Sequence, residues 1–166
     1  YNKQLIACTT TVSMERNNET TIIPPQGCAK YPHFPNAALK DGFCAFEYPI
    51  KGIRPRMAVS LGTSDALILD RESESVILLT DTNNDGVPDT KRTLLTAPYL
   101  NHGLQLHNNY IYASSDAIVY RWAYTRTDTN PFATIDENPT IVIDNINANG
   151  FGGAPEGHRT RTLIFD

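Results

Sequence analysis

Residues 81–89 carry the sharpest chemical motif in this sequence, Asp-Thr-Asn-Asn-Asp-Gly-Val-Pro-Asp. Oxygen-bearing side chains stand at its positions 1, 3, 5 and 9 and glycine at position 6, which is how an EF-hand loop begins to wrap Ca²⁺. Arg92 replaces the bidentate glutamate that normally ends such a loop. The segment therefore predicts either a weak Ca²⁺ loop or an Asn/Asp-rich turn without an ion. The candidate ligands are Asp81, Asn83, Asp85 and Asp89.

Two histidines beside glycine are the candidates for proton transfer. They lie in residues 101–103, Asn-His-Gly, and in residues 157–161, Gly-His-Arg-Thr-Arg. Near neutral pH an imidazole can take the proton of a substrate hydroxyl, and arginine binds carboxylates through its forked donors. His102 and His158, with Arg56 and Arg161, therefore suit an alcohol substrate and an anionic cofactor. The competing interpretation is that the histidines serve turns or the core and the arginines pair with surface acids.

Short strands must position these side chains. From Ile53 onward, apolar or alternating runs separated by turn residues predict two sets of four strands. Aligning the sets places Ala58 over Leu104, 46 residues later, and then over Leu163, 59 residues further on. The second interval is longer because residues 125–138 form an insertion. The predicted strands are 57–60, 66–70, 75–80 and 93–97 in the first set, and 103–107, 110–114, 117–122 and 140–145 in the second.

Four-stranded repeats of about 40 to 50 residues are typical of propeller blades, which must stack on neighbours to bury both faces. We therefore predict an all-β chain forming an incomplete β-propeller. Blade one covers about residues 54–97, blade two about 101–146, and a third blade begins at about 158–166. The loops that lead into the first strand of each blade open on one mouth of the central channel, so Arg56, His102 and His158 should converge. An ordinary two-sheet sandwich is the alternative.

Charge and hydropathy indicate which partners to expect. The chain has 166 residues, a net charge of −4 and scattered lysines and arginines. This distribution gives no basic stripe for a nucleic-acid backbone. No apolar run approaches the roughly 20 residues that a membrane span requires. We expect neither nucleic acid nor a membrane as a partner.

The N-terminal segment, residues 1–52, differs from the repeats because prolines interrupt it and it contains all three cysteines, Cys8, Cys28 and Cys44. A disulfide would brace a segment with so little regular core, and the alternative is a free thiol. The sequon at Asn18 can be glycosylated only in the secretory pathway. Together these features predict a secreted, extracellular protein whose signal peptide has been removed.

Several of these motifs, in this order, resemble the fungal pyrroloquinoline-quinone (PQQ)-dependent pyranose dehydrogenases and the wider sorbosone and soluble glucose dehydrogenase group. The likeness runs from about Ile53 to Asp166. It rests on residues 54–56 (Arg-Pro-Arg), 81–86 (Asp-Thr-Asn-Asn-Asp-Gly), 101–104 (Asn-His-Gly-Leu), 110–112 (Tyr-Ile-Tyr), 119–122 (Val-Tyr-Arg-Trp) and 157–163 (Gly-His-Arg-Thr-Arg-Thr-Leu).

This resemblance implies a six-bladed propeller that binds PQQ and Ca²⁺ at its channel mouth and oxidises a sugar hydroxyl. It implies that His158 is the general base, with Arg56, His102 and Arg161 as neighbouring channel residues. It also implies a separate electron acceptor, such as a cytochrome b domain or a copper enzyme. Further cofactor ligands are expected from later blades, so these residues alone should be inactive. The competing functions are a non-catalytic propeller that binds carbohydrate or protein, and a Ca²⁺-binding adhesion-type β-domain.

Overall fold

The computed structural model describes residues 5–8, 12–16, 19–23, 44–47, 50–62, 65–146 and 162–166, and for the first four ranges the backbone alone. Every regular element in these ranges is a β-strand, and the strands pair antiparallel. In this part of the chain no helix is long and apolar enough to cross a membrane.

The N-terminal strands form two small ladders. Strand β1 (Leu5–Cys8) pairs with β4 (Cys44–Glu47), and β2 (Val12–Arg16) pairs with β3 (Glu19–Ile23). The register of the first ladder places Cys8 directly opposite Cys44.

Blade one is a four-stranded meander: β5 (Pro55–Ser60), β6 (Ala66–Asp70), β7 (Ser75–Thr80) and β8 (Thr90–Thr96), in that spatial order. The two middle strands are buried along nearly their whole length. Strands covered on both faces read as continuous apolar runs, which is why the sequence predicted both. The outer strand begins three residues before its predicted start because its first four residues are exposed and carry no apolar signal.

Blade two repeats this meander with β9 (Leu104–His107), β10 (Tyr110–Ser114), β11 (Val119–Thr125) and an outer edge made of two pieces, β12 (Thr134–Ile135) and β13 (Thr140–Ile143). Asn108 and Asn109 join the first two strands, with φ of 48° and 61°. Two residues with positive φ make the tight hairpin turn that matches strand twist. The insertion after β11 adds Phe132 to the core, where it packs on Tyr124 with ring centroids 5.0 Å apart.

One apolar core joins the two blades. Trp122, which is 1% exposed, lies in it together with residues from both sheets, and the innermost strands β5 and β9 are neighbours. A smaller cluster covers the other face of blade one. The core that joins the blades comprises Leu67, Leu69, Val76, Leu78, Leu95, Ala97, Leu100, Leu104, Ile111, Ala113, Tyr120, Trp122 and Phe132. The prediction of an all-β chain that forms an incomplete β-propeller of about two blades is confirmed, although the outer edge of the second blade consists of two strands and not one.

Residues 162–166 lie against blade two without pairing as a strand, so the predicted first strand of a third blade is not formed in this range. Phe165 stacks on His107 at 4.6 Å between ring centroids and also contacts Tyr112 at 4.5 Å. A strand needs a hydrogen-bonded neighbour, and none of the described strands pairs with this segment. The other residues of the predicted third blade, 158–161, lie outside the described residues.

Candidate functional site

An open cleft of about 550 Å³ lies between the two blades at one end of their sheets. The start of β5, the turn between β6 and β7, the connection between blades and the turn between β10 and β11 all meet there. Antiparallel pairing brings these four segments to the same end of the sheets. The lining residues are Arg56, Arg71, Glu74, Tyr99, Leu100, Asn101, Ser115, Asp116, Ala117 and Ile118.

The loop that carries His102 is held by one fully buried serine, Ser114. The backbone NH of Asn101 donates to the Ser114 carbonyl at 3.1 Å, and the backbone NH of Gly103 donates to the Ser114 hydroxyl at 2.9 Å. Ser114 NH in turn donates to the Gly103 carbonyl at 2.9 Å. Because these bonds are buried, the loop has a defined position.

A second turn lies directly beside this loop on the cleft. The Ser115 hydroxyl accepts from the backbone NH groups of Ala117 and Ile118 at 3.2 and 3.0 Å, which fixes the turn that presents Asp116. The Asn101 side-chain amide donates to the Asp116 carboxylate. The two turns are therefore joined through their side chains and hold the polar wall of the cleft together.

His102 is half-buried beside Arg56. Burial and the positive charge of Arg56 both lower the pKa of His102 below its usual value of 6.5. The imidazole is therefore neutral at neutral pH and can accept a proton or a hydrogen bond. Its Nε2 lies 3.3 Å from the Thr162 hydroxyl. Arg56 is thus close enough for its charge to act on the imidazole of His102, although Arg56 lies within β5 and not before it as the sequence predicted.

Two buried polar atoms in this loop have no hydrogen-bond partner among the described residues: Asn101 Oδ1 and His102 Nδ1. Leaving a buried polar group unsatisfied costs about 1–3 kcal/mol, so such atoms call for an explanation. The neutral imidazole and the amide oxygen can each accept a hydrogen bond, and an amide oxygen is also a ligand for Ca²⁺. With the positive charge of Arg56 on the same cleft as Asn101, they suit a ligand that carries negative charge together with a donor or a cation.

Backbone strain also concentrates at the cleft. Within the described part of the chain, six residues other than glycine have positive φ, and four of them are asparagines. The other two are Glu74, at 49°, and Tyr99, at 64°, and both line the cleft. A bulky residue in this region costs about 1–3 kcal/mol and persists where the surroundings impose it, often at functional sites.

The Asp81 loop lies at the opposite end of blade one. The Asp81 carboxylate accepts from the backbone NH of Gly86 at 2.8 Å and of Asp85 at 3.2 Å, and the Thr82 hydroxyl donates to Asp89. Gly86 has φ of 89°, a conformation that glycine adopts without strain. In the described ranges no group of three His, Cys, Asp or Glu residues is placed to hold a metal. Calcium ligation by Asp81, Asn83, Asp85 and Asp89 stays a prediction.

The two remaining predicted site residues, His158 and Arg161, lie outside the described residues. Thr162, which follows Arg161 directly in the chain, contacts His102. Sequence reasoning also missed Tyr99 and Asp116. The signal for Asp116 was topological: in a meander, the turn between the second and third strands returns to the end where the first strand begins.

Comparisons with known proteins are informative for most of the chain. The family described as TrAA12-like matches residues 38–166. Two solved structures of Trichoderma reesei Carbohydrate-Active Enzymes Family AA12, an iodide and a calcium structure, share 30% identity with the chain, with TM-scores of 0.52 and 0.54. They cover 72% and 71% of this chain, which spans 29% and 28% of theirs.

A third solved structure is the holo form of the pyranose dehydrogenase PQQ domain from Coprinopsis cinerea, with 23% identity and a TM-score of 0.48. It covers 65% of this chain, which spans 24% of that chain. The search of curated proteins gave no match. The chain thus spans less than a third of the length of each of these solved structures.

Proposed function

Because this chain belongs to the TrAA12-like family, we propose that it is part of a PQQ- and Ca²⁺-dependent oxidoreductase that oxidises a sugar hydroxyl. The observation that carries the proposal is the cleft between the blades, which Arg56 and Asn101 line, with the neutral His102 next to Asn101 in the chain. Two solved structures of 30% identity are described as carbohydrate-active enzymes, and the description of one names calcium. The quinone itself is proposed from the order of motifs shared with the pyranose dehydrogenases.

We assign the residues of this chain to two roles, cofactor binding and proton transfer. Arg56 would hold a carboxylate of the quinone, and His102 and Asn101 would offer hydrogen-bond acceptors at its edge. Arg161 adds positive charge. His158 removes the proton of the sugar hydroxyl as general base. The quinone, when bound, supplies the redox chemistry by accepting the hydride. A separate acceptor, such as a cytochrome b domain or a copper enzyme, would take up the electrons.

Exchange of Arg56 for alanine tests this assignment through cofactor binding. A charge-assisted hydrogen bond is worth about 1.5–3 kcal/mol, so we expect the Kd for PQQ to rise about 10- to 100-fold in the full-length protein. Since the Arg56 charge lowers the pKa of His102, the same variant should raise that pKa toward 6.5. Calorimetric titration measures the first effect and histidine NMR the second.

Arg92→Ala is the matched control, because Arg92 is an exposed residue of the outer strand β8 and does not line the cleft. It should leave both the Kd and the His102 pKa unchanged. If Arg56→Ala binds PQQ as tightly as the unaltered protein, Arg56 does not hold the cofactor. If the unaltered protein binds no PQQ, the proposed oxidoreductase function is wrong and a propeller that only binds carbohydrate or protein replaces it.

We also propose that the protein is secreted and that Cys8 and Cys44 form a disulfide. Cys8 and Cys44 are directly opposite each other in the β1–β4 ladder. Opposite residues of antiparallel strands have Cα atoms about 4.5–5.5 Å apart, within the range of about 4.4–6.8 Å that disulfides span. Trypsin should place each cysteine on its own peptide: 4–16 with Cys8, 17–30 with Cys28 and 41–51 with Cys44.

A non-reducing tryptic map of the secreted protein is therefore expected to show peptide 4–16 joined to peptide 41–51, and reduction should separate them. Mass spectrometry of the same digest locates the Cys28 peptide, which should carry the glycan at Asn18. A link from Cys28 to Cys8 or to Cys44 would contradict the pairing. Finding all three thiols free would contradict the disulfide itself.

A further inference from the structure

Tyr99 lies at the rim of the cleft with 73% of its surface exposed. It follows a proline in a turn whose ends are both buried: Ala97 is 6% exposed and Leu100 is fully buried. Ala97 NH donates to the carbonyl of Glu74, and Leu100 NH donates to the carbonyl of Ala97 at 3.4 Å. These anchors hold the backbone at Tyr99 in its left-handed conformation, with φ of 64°.

Packing does not account for a tyrosine at this position. The exposed ring gains little from burial, while its bulk makes the left-handed backbone conformation costly. Asparagine tolerates that conformation better, and this chain uses asparagine at four other such positions: Asn84, Asn108, Asn109 and Asn145. Because Tyr99 destabilises the fold and contributes little packing, we look for its role in ligand binding.

We propose that the Tyr99 ring is a platform on which the sugar ring stacks, which rests on and deepens the proposed function. Ligand sites combine aromatic faces with a few convergent polar groups. A pyranose presents C–H groups on one face and hydroxyls around its edge. The ring of Tyr99 suits the C–H face of the sugar. The side chains of Arg71, Glu74 and Asp116 line the same cleft and suit the hydroxyls at the sugar's edge. The occupant is thus a hexose or pentose in its ring form.

The exchange Tyr99→Asn separates binding from folding, because it removes the ring and also relieves the backbone. In the full-length protein loaded with PQQ and Ca²⁺, we expect the thermal midpoint to rise by about 2 °C. We expect the sugar Kd and KM to rise about 10-fold while the Kd for PQQ stays the same. Tyr99→Phe keeps the ring and should keep the sugar affinity, and Tyr99→Ala should lose affinity without gaining stability.

Sugar binding is measured by calorimetry with a panel of aldoses and ketoses, separately from oxidation. An unchanged sugar Kd in both Tyr99→Asn and Tyr99→Ala would overturn the platform. So would a fall in the thermal midpoint of Tyr99→Asn, since that assigns the ring a structural role. If the unaltered protein binds a sugar but does not oxidise it, the proposed oxidation is wrong and the platform stands. If it binds none of the sugars, the platform is overturned.

Discussion

Replacing His158 by alanine in the full-length protein is expected to lower kcat for sugar oxidation by about 10²- to 10⁴-fold, the usual contribution of a positioned general base. The sugar hydroxyl is a weak acid, so its proton must move to a base as the hydride leaves. The variant should still bind PQQ, because the side chains assigned to the cofactor are unchanged. Steady-state kinetics with a dye as electron acceptor measure the loss.

The control for this experiment is His107→Ala. His107 belongs to β9 and stacks on Phe165, and it does not line the cleft. We expect its kcat to stay within about twofold of the unaltered value. Full activity in His158→Ala would contradict the assignment of the base and would direct attention to His102, the neutral imidazole beside the cleft.

Truncating Trp122 to alanine is expected to lower the free energy of unfolding by about 3–5 kcal/mol, since large-to-small changes in a core leave a cavity. The ring is 1% exposed, lies in the core that joins the two blades and packs against Tyr120 at 5.8 Å between ring centroids. Denaturant unfolding of the full-length protein measures the change.

Trp122→Phe retains most of the apolar surface and should cost clearly less than the alanine exchange. A larger loss of unfolding free energy in Trp122→Ala than in Trp122→Phe therefore shows that packing matters and not the indole as such. A loss below about 1 kcal/mol for Trp122→Ala would contradict a shared core between the blades, because surface positions give changes of that size.

The sequence predicted strands best where burial on both faces leaves an uninterrupted apolar run. The predicted bounds 66–70, 75–80 and 110–114 agree with β6, β7 and β10. Strand β8 was predicted too short because its first residues pair with β7 through the backbone while their side chains face solvent. The short β12 was missed because two residues carry no periodicity.

For the site, the repeat alignment predicted that Arg56, His102 and His158 converge, since equivalent positions in successive blades share one channel mouth; of these, His158 lies outside the described residues. Tyr99 could not be found in this way. Tyrosine disfavours positive φ, so its local preference argues against the conformation that the buried Ala97 and Leu100 impose. The hydrogen bond between Asn101 and Asp116 also depends on tertiary pairing, because 15 residues separate the two.

Oxidation of a sugar by the bound quinone is measured by loading the full-length protein with PQQ and Ca²⁺ and adding aldoses and ketoses under anaerobic conditions while the absorbance of the bound quinone is followed. We expect that at least one sugar reduces the quinone, and that this reduction is lost in His158→Ala. A protein that binds no PQQ, or whose bound quinone no sugar reduces, would contradict the proposed function.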